Sequence, residues 1–416
     1  MAYQLRIADS ELQSRLRAAG AVVIEGPKAC GKTATARQLA ASEILFDLDP
    51  RAREAARVDP TLVLEGAIPR LLDEWQLEPA VWNAVRRAVD DSGGVGRFIL
   101  TGSSVPADDE TRHTGAGRIV RMRMRPMSLY ELGFSTGAVS LGALLDGGTP
   151  RSDDPGLSIA TLADRIAVGG WPGFRGLAVA DALVAVRGYL DEIRRTDISR
   201  VDGKRRDPAR VERLLRSLAR NVATYAATST LAADAGGDEG PMKEETAADY
   251  LDALDRLMVV EDQPAWAPHL RSRSRIRSAS KRHFVDPSLA VAALRATPER
   301  LLEDLNFLGF LFESLVIRDL RIYSQQSDGR VLQYRDNTGL EVDAIVETAD
   351  GRWGAFEIKL GGKLIDEGAS NLASFIDRVD TTKSGAPAIA AVITGTGYGY
   401  VREDGIAIIP IGALAP

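Results

Sequence analysis

The sequence predicts an α/β chain in three parts: a parallel sheet flanked by helices, a helical middle segment, and a second α/β segment. Three observations predict it. Over the first ~135 residues short apolar runs alternate with helical patterns, the order of parallel strands joined by crossover helices. From about Ala182 to Val285 a helical period dominates, and from Asp286 a long apolar helix precedes alternating strands. The expected domains are 1–175, 182–285 and 286–416. The Gly- and Pro-rich stretches DGGTPRSDDPG, from Asp146, and GGWPGF, from Gly169, lead to the first boundary.

The strands of the first part are read in order as AVVIE (Ala21 to Glu25), EILFDL (Glu43 to Leu48), IPRLLD (Ile68 to Asp73), RFILTG (Arg97 to Gly102) and RIVRMRM (Arg118 to Met124). Between the third and fourth, Val81, Trp82, Val85 and Val89 recur at helical spacing and define one buried face. In the last strand Arg121, Arg123 and Arg125 alternate with Met122 and Met124, so the arginines share a face directed at phosphate, at nucleic acid or at solvent.

The first strand runs into Gly26-Pro27-Lys28-Ala29-Cys30-Gly31-Lys32-Thr33, and KTATARQLA opens a helix directly after it. That context suits a phosphate cradle. Glycines let backbone N–H groups wrap phosphates, with Ala34 in the first turn, and the helix start adds positive potential. Lys32 would reach the β- and γ-phosphates and Thr33 would hold Mg²⁺. Forty residues on, RLLDEWQ ends a strand in Asp73, suited to the Mg²⁺ shell, and Glu74, placed to orient or deprotonate the attacking water. ILTGSS ends another strand in Thr101, placed to sense the terminal phosphate.

Composition narrows the remaining chemistry. With 52 Lys+Arg against 58 Asp+Glu, the net charge of −6 gives no whole-chain field toward nucleic acid, so such binding needs a local patch. One cysteine, Cys30, excludes an intrachain disulfide and a Cys-based zinc site, and the three histidines lack helical metal spacing. No apolar run approaches membrane length and no leader pattern follows Met1, so the expectation is a soluble cytoplasmic chain with no membrane contact.

The elements Gly26 to Thr33, Leu71 to Gln76 and Leu100 to Ser103 resemble the Walker A, Walker B and sensor-1 elements of AAA-type P-loop ATPases. The longer run from GPKACGKT through HTGAGRIVRMRMRPMSLYELG resembles a family of uncharacterised bacterial ATPases that carry a C-terminal domain of unknown function. The resemblance implies ATP binding with Mg²⁺ and ATP hydrolysis. Relatives of this type often complete the site with an arginine from a neighbouring subunit of a homo-oligomer, for which Arg118 is the candidate. No sensor-2 arginine follows from the pattern.

The middle segment orders its helices, a polar loop DAGGDEGP, a further helix and a hairpin in the manner of a winged helix-turn-helix. Its candidate recognition helix, Lys243 to Arg256, carries Glu244, Glu245, Asp249, Asp252 and Asp255 against two cations, which favours a protein partner over a DNA groove. HLRSRSRIRSASKRH holds six Lys/Arg and no acid. Its alternating Arg271, Arg273, Arg275 and Arg277 form the best nucleic-acid candidate, against the alternative of a charged edge strand.

In the last segment EVDAIVE and WGAFEIKL read as half-buried strands joined by TADGR. Glu357 and Lys359 share a face. A three-residue loop with Gly351 left-handed would set Asp343 opposite Glu357, whereas a two-residue turn would separate them; the former is expected. Paired carboxylates call for a cation, and oxygen ligands suit Mg²⁺ or Mn²⁺. Glu313, a lone acid in GFLFESLV, faces the same place, and Lys359 would steer a water or offset charge on a scissile phosphate. Glu313, Asp343 and Glu357-x-Lys359 resemble the PD-(D/E)xK nuclease-like fold, with Val342 where proline is usual before the Asp. Two functions follow: ATP turnover coupled to nucleic-acid cleavage, or an ATP-driven switch or scaffold whose nuclease-like domain binds a protein partner and cuts nothing.

Overall fold

The computed structural model describes residues 3–103, 114–237, 240–268 and 279–416. Contacts divide the chain into two compact units. The first comprises residues 1–126, 196–205 and 252–259; the second comprises 127–195, 206–251 and 260–416. The run of the first unit through the sheet thus ends at Pro126, short of the expected residue 175, and two later segments return to it.

The first unit contains α1 (Ile7–Ala18), β1 (Ala21–Glu25), α2 (Lys32–Arg37), β2 (Ser42–Leu45), α3 (Pro50–Val58), β3 (Arg70–Asp73), α4 (Ala80–Ser92), β4 (Phe98–Gly102) and β5 (Ile119–Arg123). The five strands form one parallel sheet in the order β2-β3-β4-β1-β5. Alternation along the strands sorts their side chains into two cores, as the pleat requires. Ala21, Val23, Leu72 and Leu100 join Trp75, Trp82, Val85 and Val89 in one cluster. Val22, Ile24, Leu71 and Ile99 join Leu12, Met122 and Met124 in the other. A sheet buried on both faces explains why these strands read as continuous apolar runs. Strand ends are shorter than expected: β2 stops at Leu45, where Leu48 turns back to bond the Leu45 carbonyl, and β3 begins only after Pro69, which has no N–H to donate.

The second unit begins with β6 (Val139–Ser140), α5 (Leu141–Leu145), α6 (Ile159–Val168) and α7 (Val179–Glu192). A π-turn at Ile193–Asp197 then carries the chain into the returning segment of the first unit, which holds α8 (Ile198–Arg200). Next come α9 (Pro208–Arg220), α10 (Thr228–Asp234) and α11 (Glu244–Arg256), the last matching the acidic helix read from sequence and belonging from Asp252 onward to the first unit. Isolated antiparallel bridges at Val260–Phe284 and Gln263–Lys281 follow it. These helices and bridges agree with the expected order of elements, without establishing a winged helix.

The rest of the second unit holds α12 (Ser288–Ala293), α13 (Pro298–Glu303), α14 (Leu305–Tyr323), β7 (Arg330–Arg335), β8 (Glu341–Glu347), β9 (Trp353–Lys359), α15 (Ile365–Arg378), α16 (Thr381–Ser384), β10 (Ile389–Thr394), β11 (Tyr400–Val401), β12 (Ala407–Pro410) and β13 (Leu414–Ala415). Six strands form a mixed sheet in the order β11-β12-β10-β9-β8-β7, with β10 parallel to both neighbours. Ala369, Leu372 and Phe375 of α15 pack with Trp353, Ala355 and Val392. Among the described residues no helix is long and apolar enough to cross a membrane.

Candidate nucleotide site and C-terminal carboxylate cluster

The order β3-β4-β1 puts three strand ends side by side, and the carboxyl ends of a parallel sheet are where open α/β folds bind ligands. The loop of residues 26–31 leaves β1 there. A Cβ at Gly26 would lie 2.2 Å from the Met124 carbonyl oxygen, so only glycine fits. Gly31 caps α2 at φ 106°, a conformation that glycine adopts without strain. Cys30 is buried, its Sγ 3.8 Å from the Met124 carbonyl oxygen, which makes it a packing residue of the loop.

Lys32 is buried and its Nζ donates to the carbonyl oxygens of Gly26 and Pro27, at 3.0 and 2.9 Å, so the loop curls around the ammonium. Thr33 Oγ1 donates to Asp73 Oδ1 at 2.8 Å. Thr101, at the end of the intervening β4, donates to the same oxygen and accepts the Glu74 N–H at 3.2 Å. The loop, the first acid and the polar strand end therefore meet at one carboxylate. Glu74 takes a left-handed backbone (φ 54°), uncommon for a residue with a side chain and frequent at functional positions. Its carboxylate accepts from Ser103 Oγ at 2.9 Å and from Gln76 Nε2.

A cavity of about 490 Å³ opens over these groups. Its lining includes four carboxylates, Asp47, Asp73, Glu74 and Asp197, against Lys28 and Arg200. Lys28 Nζ sits 2.5 Å from Asp197 Oδ1, whereas Arg200 has no ion-pair partner among the described residues. A triphosphate entering so acidic a cavity needs a cation, and the hydroxyl of Thr33 beside the carboxylate of Asp73 is the oxygen donor set that Mg²⁺ takes. The residues fit the ion. Gln76, Ser103, Asp47, Asp197 and Arg200 were not identified from sequence. Gln76 and Ser103 lie within the quoted motifs, but Asp197 and Arg200 lie far downstream in a helical stretch without a local pattern.

Arg118 does not join this site in its own chain. It stands just before β5, at the end of the sheet away from the phosphate loop, and its Nε is 2.6 Å from Asp90 Oδ1. Arg121 pairs with Glu25 and lies over the Trp82 ring, while Met122 and Met124 are buried, so the alternation along β5 is as expected. Arg271, Arg273, Arg275 and Arg277 lie outside the described residues. The last two cations of that basic run are engaged: Arg282 pairs with Asp262, and Lys281 is buried.

Lys281, from the basic run, enters the expected metal set. Its Nζ lies 2.7 Å from Glu313 Oε1 and 3.0 Å from Asp343 Oδ1, so an ammonium stands between two of the three acids expected to hold Mg²⁺ or Mn²⁺. The strand register is the expected one: Ala344 pairs with Phe356 and Glu347 with Trp353, and Gly351 turns the loop at φ 88°. A bulge in the β7–β8 pairing sets two residues, Asp343 and Ala344, against Gln333 and re-aims Asp343. Asp343 Oδ2 accepts the Ile358 N–H at 3.0 Å. Glu357 is not bridged to Asp343: Oε2 is 2.9 Å from Lys359 Nζ and Oε1 accepts from Asn371 at 2.8 Å.

Three carboxylates face two ammonium groups here, one positive charge short of balance. Burial pushes Glu313 up to about 8 and, together with Asp343, pushes Glu357 up to about 7. Burial acts against the Lys281 charge, but Glu313 and Asp343 outweigh it and hold Lys281 well above the ordinary lysine value. Asp343 is likewise resisted by burial, yet Lys281 and Lys359 keep it below the usual carboxylate range. The residues do not fit a divalent cation.

Residues 159–300 match a family described as a domain of unknown function (DUF8612), and 308–414 match another such domain (DUF4143). The uncharacterized proteins Rv2008c of Mycobacterium tuberculosis and Mb2031c of Mycobacterium bovis are each 26% identical over 363 residues, covering 86% of this chain and 74% of the relative. A Walker-type ATPase of Pyrococcus abyssi aligns with a TM-score of 0.42 and 16% identity, over 69% of this chain and 94% of that one. Residues 18–133, the span of the sheet and its phosphate loop, match the family described as the AAA domain.

Proposed function

We propose that the chain binds ATP with Mg²⁺ in the cavity at the carboxyl ends of β1, β3 and β4 and hydrolyses it. The observation that carries this reading is the meeting of Thr33 and Thr101 on one oxygen of Asp73, beside a buried Lys32. Lys32 moves from the Gly26 and Pro27 carbonyls to the phosphates. Thr33 and Asp73 would hold Mg²⁺, which when bound would offset phosphate charge and polarise the terminal phosphoryl group. Glu74, steadied by Ser103 and Gln76, orients the attacking water and accepts its proton. Thr101 joins Asp73 to the Glu74 backbone, so a shift at the terminal phosphate reaches both acids. Asp197 holds Lys28, and Arg200 adds positive charge to the cavity. Lys32→Ala should abolish ATP turnover by the purified chain; turnover at the wild-type rate would end the proposal.

Turnover of this kind serves either cleavage or a conformational switch. The ammonium of Lys281 between Glu313 and Asp343 favours the switch.

A further inference from the structure

The second unit brings three carboxylates into one electrostatic neighbourhood, yet the interior already supplies their cations. Lys281 comes from the bridge to Gln263, Glu313 from α14 and Asp343 from β8, so three separate elements converge on one ammonium. The Lys281 side chain is 4% exposed. Five of the six carboxylate oxygens are engaged: Glu313 Oε1 and Asp343 Oδ1 by Lys281, Asp343 Oδ2 by the Ile358 N–H, and the two of Glu357 by Lys359 and Asn371. Among the described residues no group of three His, Cys, Asp or Glu is placed to hold a metal ion.

Spacing separates the two kinds of cation. Oxygens around Mg²⁺ stand at about 2.0–2.1 Å, whereas an ammonium holds its acceptors close to 3 Å. Glu313 and Asp343 stand at the second distance from Lys281 Nζ. A metal would have to displace that ammonium and draw both carboxylates inward. Removing Lys281 alone would leave two buried acids facing each other, a costly arrangement.

We propose that the C-terminal carboxylate cluster is a lysine-closed centre. Lys281 permanently supplies the cation that Glu313 and Asp343 require, and the second unit takes no divalent metal at this cluster and acts without metal-dependent phosphodiester hydrolysis. Lys281, counted with the basic run in sequence, is thereby an internal counter-ion and no phosphate contact.

The test compares the nucleotide-free full chain with its Asp343→Asn variant in Mn²⁺ titrations followed by electron paramagnetic resonance. Any ion at the phosphate loop is common to both, so the binding curves should superimpose. Loss of a bound Mn²⁺ from Asp343→Asn would overturn the proposal. Lys281→Met should lower the thermal midpoint of the full chain by roughly 5 °C, the scale expected when a buried pair loses one partner. An unchanged midpoint would equally overturn it. Should Lys281→Met fail to fold, the Mn²⁺ comparison still decides.

Discussion

Asp73 ties the nucleotide site together at the scale of single residues. One of its oxygens receives both Thr33 and Thr101, so losing either hydroxyl disturbs the acid as well as the ligand it would hold. Glu74→Gln keeps the size and the bonds to Ser103 and Gln76 but cannot accept a proton. It should lower kcat by about 10²-fold or more while ATP binding persists, read from single-turnover rates and equilibrium binding. Asp197→Asn removes a negative charge from the cavity and breaks its ion pair with Lys28; ATP affinity should rise several-fold, and an unchanged or weaker affinity would exclude Asp197 from a restraining role. The glycines, Lys32, Thr33 and Asp73 were legible because backbone geometry forces their spacing. Lys281 was misread because a count of charges carries no information on burial.

Elements explain what the patterns captured and where they stopped. The parallel strands were readable from apolar runs because both faces of the sheet are covered. Their ends were not, since Pro69 and the turn at Leu48 act through single hydrogen bonds. The β8–β9 register followed from turn length, but the bulge opposite Gln333 left no sequence signal. In α14 the apolar pattern sets Glu313 apart but not Arg318, which pairs in the buried interior with Asp286 and Asp319 at 2.8 and 2.7 Å. Asp319 also accepts the Leu129 N–H. Arg318→Met would strand two buried acids and should destabilise the chain by about 3–5 kcal/mol in denaturant titrations.

The carboxylate cluster gives those elements a pH dependence. Glu357 binds its proton more tightly in the folded chain, at about 7, than at its ordinary value of 4.5. Its contribution is therefore complete below the ordinary value and is lost as pH rises through about 7. Glu313 acts in the same sense toward about 8. Stability should fall across this window, and Glu357→Gln should flatten the fall in denaturation curves taken through it. An undiminished slope would place the titrating group elsewhere.

Across the whole molecule the charge is −6, and the acidic nucleotide cavity carries the same sign. A polyanion such as ATP therefore depends on Mg²⁺ and on the few cations at the site. In the proposed site Lys32, Thr33 and Asp73 surround a magnesium-bound triphosphate. The most direct test of this is calorimetric titration of the full chain with ATP, with and without Mg²⁺, for wild type and Thr33→Ala. The expected result is saturable one-to-one binding by the wild type that strengthens with Mg²⁺, a gain largely lost in Thr33→Ala. No binding heat from the wild type, or the same Mg²⁺ gain in Thr33→Ala, would contradict it.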